Sequence, residues 1–504
     1  MIRDNINLVH DYLHRDFANP ARKIVGDLSY YGTFFNLIAY IIQIPSIEKY
    51  GLLTPQSLLA KQYVVFLFSL IAYLSLYAAL FSTTKSKFSG VLVVATLALQ
   101  PLFFSSAFYN SKEAPFASLF TLSSTTCGYI ACELVMLLST VQTDSNAIKR
   151  AYRLSALQGG IIGLCASVRI GGVITLFFFY AVLAVILFLT DKYKAKHLWL
   201  NIVKCCSLTL AVAFLTIWVL HPVSYLRPLG WIVETLHYFA HHPLDVMTLT
   251  DGEWIRSLAT PWYYVPKWIF AQTPIMMQML TVTGGYIFFR SIRQNNLMTN
   301  AIGTAFFLQL IVIPIFAVAA HMNLCGGMGK FLFICPAIAF FSSLSLIRLL
   351  NFVPSNHLAQ CLMALIVCGT GKLAYEFVQI HPYQGSYFVE PLRVDNMQER
   401  WRLGRGTKEA LQWLNENTPD DQSTLVFLSG YKEDGVIDDY KKKQLNMLGT
   451  NALRTIGQSA AYYIIVNNSE PFTAGPGTHC TTVHSVERKL APITLKIASI
   501  WHCN

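Results

Sequence analysis

The residues best placed to do chemistry stand at the ends of long apolar runs. Val168-Arg-Ile-Gly-Gly172 sets a single arginine midway in an apolar hairpin. An ionised group inside such a segment is costly unless it has a task or a partner. A guanidinium suits phosphate, which it grips with two parallel hydrogen bonds; a structural salt bridge is the plainer alternative. Phe108-Tyr-Asn-Ser-Lys-Glu-Ala-Pro-Phe116 puts Lys112 and Glu113 at the membrane edge, where a helix is expected to begin after Pro115. A carboxylate there can hold a metal ion or act on a sugar hydroxyl; charges that merely snorkel to an interface are the alternative. Asp27-Leu-Ser-Tyr-Tyr-Gly32 precedes the apolar run Thr33–Ile42, too short to span a bilayer and suited to a helix lying in the interface.

Three further stretches carry polar groups. The long segment His221–Thr273 holds His237, His241, His242, Asp245, Asp251 and Glu253, then Thr260-Pro-Trp-Tyr-Tyr-Val-Pro266. Its histidines lack the spacing of a helical zinc site, whereas Tyr263 and Tyr264 can stack on a sugar or lie among headgroups. His321–Lys330 ends in Gly326-Gly-Met-Gly-Lys330. The spacing is not that of a nucleotide-binding loop, but Lys330 can meet a lipid phosphate. Ile380-His-Pro-Tyr-Gln-Gly-Ser-Tyr-Phe388 gathers aromatics after the last apolar run, and Asn467-Asn-Ser469 fits a glycosylation sequon.

The elements that position these residues follow from composition. Of 504 residues, 54% are apolar and only 13% charged, too few charges to coat soluble domains of this size. Soluble enzyme, disordered chain and collagen-like fibre are excluded, and a polytopic membrane protein remains. The net charge of +11 does not imply nucleic acid, because no basic run is interleaved with aromatics. Most of the eleven cysteines lie in apolar segments and none has zinc-ligand spacing; Cys480 and Cys503, in the polar tail, can pair if that tail is extracytoplasmic.

A span needs roughly 20 mostly apolar residues, and ten segments are candidates: 63–83, 89–107, 116–139, 155–168, 171–190, 198–220, 274–291, 299–320, 331–350 and 357–376. The fourth and fifth form a tight pair broken at Arg169. One set of loops carries Lys85, Lys87, Lys149, Arg150, Arg153, Lys192, Lys194, Lys196, Arg290, Arg293 and Arg348, with few acids. That set is expected on the cytoplasmic side, which places both termini and all six polar features outside. The tail from about 377 has 13 basic and 13 acidic residues. It reads as a small α+β domain with a helix at Thr407–Leu414, a turn from Asn415 to Gln422 and strands at Leu425–Leu428 and Tyr462–Val466.

The order of motifs resembles the polytopic C-type (GT-C) glycosyltransferases, and is most similar to bacterial enzymes like glycosyltransferase family 39 and the dolichyl-phosphate-mannose protein mannosyltransferases. The resemblance rests on Tyr30–Phe34, Asn110–Phe116, Arg169–Gly172, Pro261–Pro266 and His381–Phe388, and covers about residues 27–415. It implies a mainly α, polytopic fold with a domain plan of 1–62 (external loop with interfacial helices), 63–376 (transmembrane GT-C-like module) and 377–504 (extracytoplasmic domain), in a bacterial inner membrane with the C-terminal domain periplasmic. It implies transfer of a sugar, as a hexosyltransferase would, from a polyprenyl-phosphate donor to an extracytoplasmic glycan or lipid acceptor, among membrane lipids and without nucleic acid. The implied site has Glu113 and Asp27 as catalytic acids, Arg169, Lys112 and Lys330 on the donor phosphate, and Tyr263, Tyr264 and His321 on substrate. No organic cofactor is expected, and a divalent cation is an option. The pattern departs in two places. A preceding span with its acid is expected ahead of Met1, Asp4, Asp11 and Asp16 being imperfect stand-ins. Cys325-Gly-Gly-Met-Gly-Lys-Phe331 lacks the Asp and Arg of the family's Tyr-Asp-Gly-x-Arg-His-Phe. A transporter or flippase of lipid-linked sugar, or a truncated inactive paralogue, is the rival reading.

Overall fold

The computed structural model describes residues 30, 32–51, 54–140, 145–192, 196–221, 224–225, 227–240, 245–355, 357–393, 406–419, 424–428, 445–449, 462–467 and 479–503. Two compact units emerge: residues 1–42, 61–246 and 256–370 in one, residues 43–60, 247–255 and 371–504 in the other.

In chain order the elements are α1 (Phe34–Tyr50), α2 (Pro55–Thr84), α3 (Lys87–Ala98), α4 (Pro101–Tyr109), α5 (Glu113–Thr140), α6 (Ser145–Ala166), α7 (Ile174–Leu189), α8 (Lys196–Leu220), α9 (Pro228–Ala240), the hairpin β1 (Met247–Thr250) and β2 (Glu253–Arg256), α10 (Tyr264–Gln272), α11 (Ile275–Arg290), α12 (Leu297–Ala319), α13 (Ile334–Phe352), α14 (His357–Gln379), α15 (Thr407–Asn417), and strands β3 (Thr424–Leu428), β4 (Leu445–Gly449), β5 (Tyr462–Asn467), β6 (Cys480–Leu490) and β7 (Ile493–Cys503).

A helix stands at each of the ten expected spans, so this is an α-helical membrane protein with a small sheet region at its C-terminus. Seven of these helices are long and apolar enough to cross a bilayer, and eight if α3 and α4 count as one span bent by 76°. Pro101 opens α4 at its first position, where its missing N–H costs nothing. Gln100, in the break, is fully buried, and neither of its amide atoms has a partner among the described residues. The other two expected spans fall short. α11 has only 16 residues. α6 starts earlier than expected and carries Lys149, Arg150 and Arg153 in its first turns, which leaves a short apolar remainder. The run at Thr33–Ile42 continues to Tyr50 despite Pro45, and α2 begins already at Pro55, ahead of the boundary at residue 63. The segment read as a long loop contains α9 and the β1–β2 hairpin, turned by Asp251 and Gly252 at positive φ.

The second unit contains a five-stranded sheet in the order β4-β3-β5-β7-β6. β3 runs parallel to β4 and β5, while β7 is antiparallel to β5 and β6. Val426, Phe427, Ile464, Ile465, Ile497 and Ile500 are buried in its layers. α15 buries Ala410, Leu411 and Leu414, one helical stripe, and continues to Asn417 through the expected turn. Cys480 and Cys503 are opposite one another on β6 and β7 and form a disulfide. Arg393 makes a two-pronged salt bridge to Glu376, at 2.6 and 2.9 Å, and donates to the carbonyls of Phe388 (2.8 Å) and Ala491 (2.9 Å). In the sequon, Asn467 ends β5; residues 468 and 469 lie outside the described residues.

Candidate functional site

The site is built on the start of α5. Asn110 Oδ1 accepts from the backbone N–H of Lys112 (3.1 Å) and of Glu113 (2.8 Å), two donors that the helix itself leaves unpaired. Glu113 therefore begins a 28-residue helix at its electropositive end.

Arg169 reaches the same point from the hairpin after α6. The chain leaves α6 at Ala166, and Arg169 takes an extended conformation (φ −147°, ψ 131°) before a single 3-10 turn, Ile170–Val173. Its Nη1 donates to Glu113 Oε2. The two side chains are 21% and 13% exposed, so the pair is neither sealed nor on the surface. The guanidinium lies 5.9 Å from the ring centre of Phe116. Two residues singled out in separate loops thus form one ion pair, as the salt-bridge alternative for Arg169 has it.

Other motifs pack around this hairpin. Gly32 passes so close to Ser167 that an added Cβ would lie 1.9 Å from the Ser167 carbonyl oxygen, which accepts from Phe34 N–H at 3.2 Å. Only glycine fits that approach. The next residue, Thr33, donates from its hydroxyl to the Leu220 carbonyl. Below the hairpin, Ile170 packs with Ala166, Ile217 and Trp231. His221 lies 4.5 Å from the Trp231 ring with Nδ1 2.8 Å from the Ile217 carbonyl. Burial pushes this imidazole down to about 4, so it is neutral at physiological pH. Tyr30 stacks on Tyr238 of α9 at 4.5 Å.

Phe116 also meets Phe333, 6.0 Å away, which follows the glycine turn at Gly326–Lys330. Gly326 and Gly327 have positive φ (77° and 64°), and a Cβ on Gly327 would meet the Trp268 ring at 2.6 Å. The turn is held from α10: Tyr264 Oη accepts from Gly327 N–H and Gln272 Oε1 from Met328 N–H, both at 3.2 Å.

One expectation changes here. Tyr264 is fully buried, so no ring face is left for a sugar, and its hydroxyl serves the glycine turn. Ring surface at this corner remains on Trp262, 73% exposed, and on half-buried Tyr263, over which Lys267 Nζ lies at 5.3 Å. Lys330 donates to the Asn323 carbonyl at 3.3 Å and so helps close its own loop. His321 is exposed just past α12, at φ 47°, with no side-chain hydrogen bond among the described residues. Asp27, Asp4, Asp11, Asp16, His241 and His242 lie outside the described residues.

Sequence reading missed Lys61. It is half-buried on α2. Its signal was a cation at the head of an apolar run. Among the described residues no three His, Cys, Asp or Glu side chains converge, and Glu113 already faces a guanidinium. Asp245 is likewise committed, to Arg256 at 2.9 Å.

No family model matches the chain, and no curated protein does. Among solved structures it is similar to the archaeal oligosaccharyltransferase AglB from Archaeoglobus fulgidus, in complex with an inhibitory peptide and a dolichol-phosphate. The TM-score is 0.47 and the identity 14%, over 81% of this chain and 55% of that one. It is also similar to ArnT from Cupriavidus metallidurans bound to undecaprenyl phosphate, with TM-score 0.46 and 11% identity over 92% and 87% of the two chains. The chain spans about half the length of the oligosaccharyltransferase it matches.

Proposed function

We propose that the protein is a membrane glycosyltransferase that moves a sugar from a polyprenyl-phosphate donor to an extracytoplasmic glycan or lipid acceptor. The observation that carries this reading is the Glu113–Arg169 pair at the head of α5, half-open and flanked by Lys112 and an aromatic ring. Transfer needs a base for the acceptor hydroxyl and cations for the departing phosphate. The acceptor oxygen bonds to the anomeric carbon as the bond from that carbon to the phosphate oxygen breaks. The hydroxyl proton passes to Glu113, and the phosphate leaves on the polyprenyl chain, held by Arg169 and Lys112. A guanidinium has five N–H donors, so one arginine can hold a carboxylate and a phosphate together. The disulfide Cys480–Cys503 favours an oxidising compartment for the tail, in line with a periplasmic C-terminal domain.

The test is reconstitution in vesicles with a labelled polyprenyl-phosphate sugar and an extracytoplasmic glycan acceptor. The reading expects labelled acceptor and released polyprenyl phosphate, both lost in Glu113→Gln. Passage of the intact labelled lipid across the bilayer with no transfer would replace it by the flippase reading.

A further inference from the structure

The far end of α7 from Arg169, about 24 Å away by helical rise, carries a feature that the proposed transfer does not use. A cavity of about 490 Å³ opens there, lined by Leu189, Asp191, Ile292, Arg293, Leu297 and Asn300 among others. It lies at the end of the bundle where the basic loops gather, beside a second cavity lined by Ser86 and Arg348.

Its chemistry is that of a dipole. Asn300 is 3% exposed; its Nδ2 donates to the Ile292 carbonyl at 2.6 Å, which fixes the amide orientation. Its Oδ1 has no hydrogen-bond partner among the described residues, and a buried acceptor of this kind calls for a donor. Asp191, at the rim, adds a carboxylate, and Arg293 a cation. The helix ends repeat the pattern. α7 brings its negative C-terminal end to the cavity at Leu189, and α12 its positive N-terminal end at Leu297. Leu189, Ile292 and Leu297 supply an apolar wall.

We propose that this cavity binds a phospholipid headgroup carrying both a phosphate and an ammonium with N–H donors. The phosphate lies toward Arg293 and the start of α12. The ammonium donates to Asn300 Oδ1 and lies by Asp191 and the end of α7. The apolar wall takes the first methylenes of the lipid. A bare phosphate would leave Asn300 without a donor and face the Asp191 carboxylate. A choline headgroup has the charge but no N–H.

The full chain, delipidated in detergent, is incubated with phosphatidylethanolamine, phosphatidylcholine or phosphatidylglycerol, and retained lipid is counted by native mass spectrometry. Phosphatidylethanolamine is expected to be retained about tenfold over both others and not displaced by inorganic phosphate. Arg293→Gln and Asp191→Asn, two exposed positions, should each cut that retention about tenfold with no change in unfolding temperature. Equal retention of the ethanolamine and choline lipids, displacement by inorganic phosphate, or full retention by both variants would overturn the proposal. The readout is binding, so it stands or falls apart from the transfer reaction.

Discussion

Two arginine–glutamate pairs, one in each unit, each with its guanidinium over an aromatic ring, differ in burial. Arg393 and Glu376 have side chains 0% and 4% exposed, two parallel hydrogen bonds, and two backbone carbonyls on the same guanidinium. Its donors are taken up by the chain it holds, so the pair works as a latch between α14 and the segment that follows it. The Arg169 and Glu113 side chains remain 21% and 13% exposed, and the guanidinium lies 5.9 Å from the Phe116 ring centre. A charge pair saturated by its own chain is architecture. The pair that keeps part of its surface exposed, with Lys112 next to it in the chain, is the one proposed to meet a ligand.

The largest effect should come from breaking the saturated pair. Arg393→Ala leaves the buried Glu376 with only Lys372, at 3.7 Å, as a cationic partner, and the expected cost is about 3–5 kcal/mol, read as a lowered unfolding temperature. A thermal curve like the wild type's would show that the latch carries no stability. Next in size is the disulfide that closes 23 residues of the same unit. Cys480→Ser with Cys503→Ser should cost about 3 kcal/mol, measured against the oxidised protein; an unchanged midpoint would mean the β6–β7 hairpin holds itself.

In the open pair the effect should appear in turnover instead. Glu113→Gln keeps shape and hydrogen bonding but not charge, and should lower transfer by about 10²-fold while unfolding changes little. Parallel loss of stability and transfer would make Glu113 another structural anion. The smallest effect concerns the floor of the hairpin. Burial lowers His221 to about 4 from an ordinary 6.5, so the folded state favours the neutral ring. Its contribution is complete above pH 6.5 and is lost as the pH falls toward 4. Melting curves across that interval should show the loss, and His221→Gln should flatten it; an equal slope in the variant would assign the acid sensitivity elsewhere.

Much of this was legible in the sequence, for reasons tied to particular residues. The spans follow from apolar length, and Arg169 marked one break, whereas the bend at Pro101 falls inside a segment read as one span, 89–107. Pro115 announced a helix start by residue type, two residues later than the observed start at Glu113, which Asn110 caps. Other parts depend on contacts between distant residues, which periodicity does not carry. Tyr264 belongs to an aromatic cluster that reads as a binding wall until Gly327 claims its hydroxyl. Gln100 became relevant only because a bent helix buries it. The strand pair β6–β7 alternates weakly, its faces being of mixed exposure, and so escaped a period-2 reading.

The central claim is that Arg169 is there for a ligand and Arg393 for the fold. Arg169→Lys and Arg393→Lys, compared in one experiment, test it most directly, since lysine keeps the charge in both and loses the fork. Sugar transfer and unfolding temperature are measured on each. The account predicts that Arg169→Lys loses at least tenfold in transfer with its unfolding temperature kept, and that Arg393→Lys loses unfolding temperature while its remaining folded fraction transfers normally. Normal transfer by a well-folded Arg169→Lys protein, or a loss of transfer that only follows a loss of stability, would contradict it.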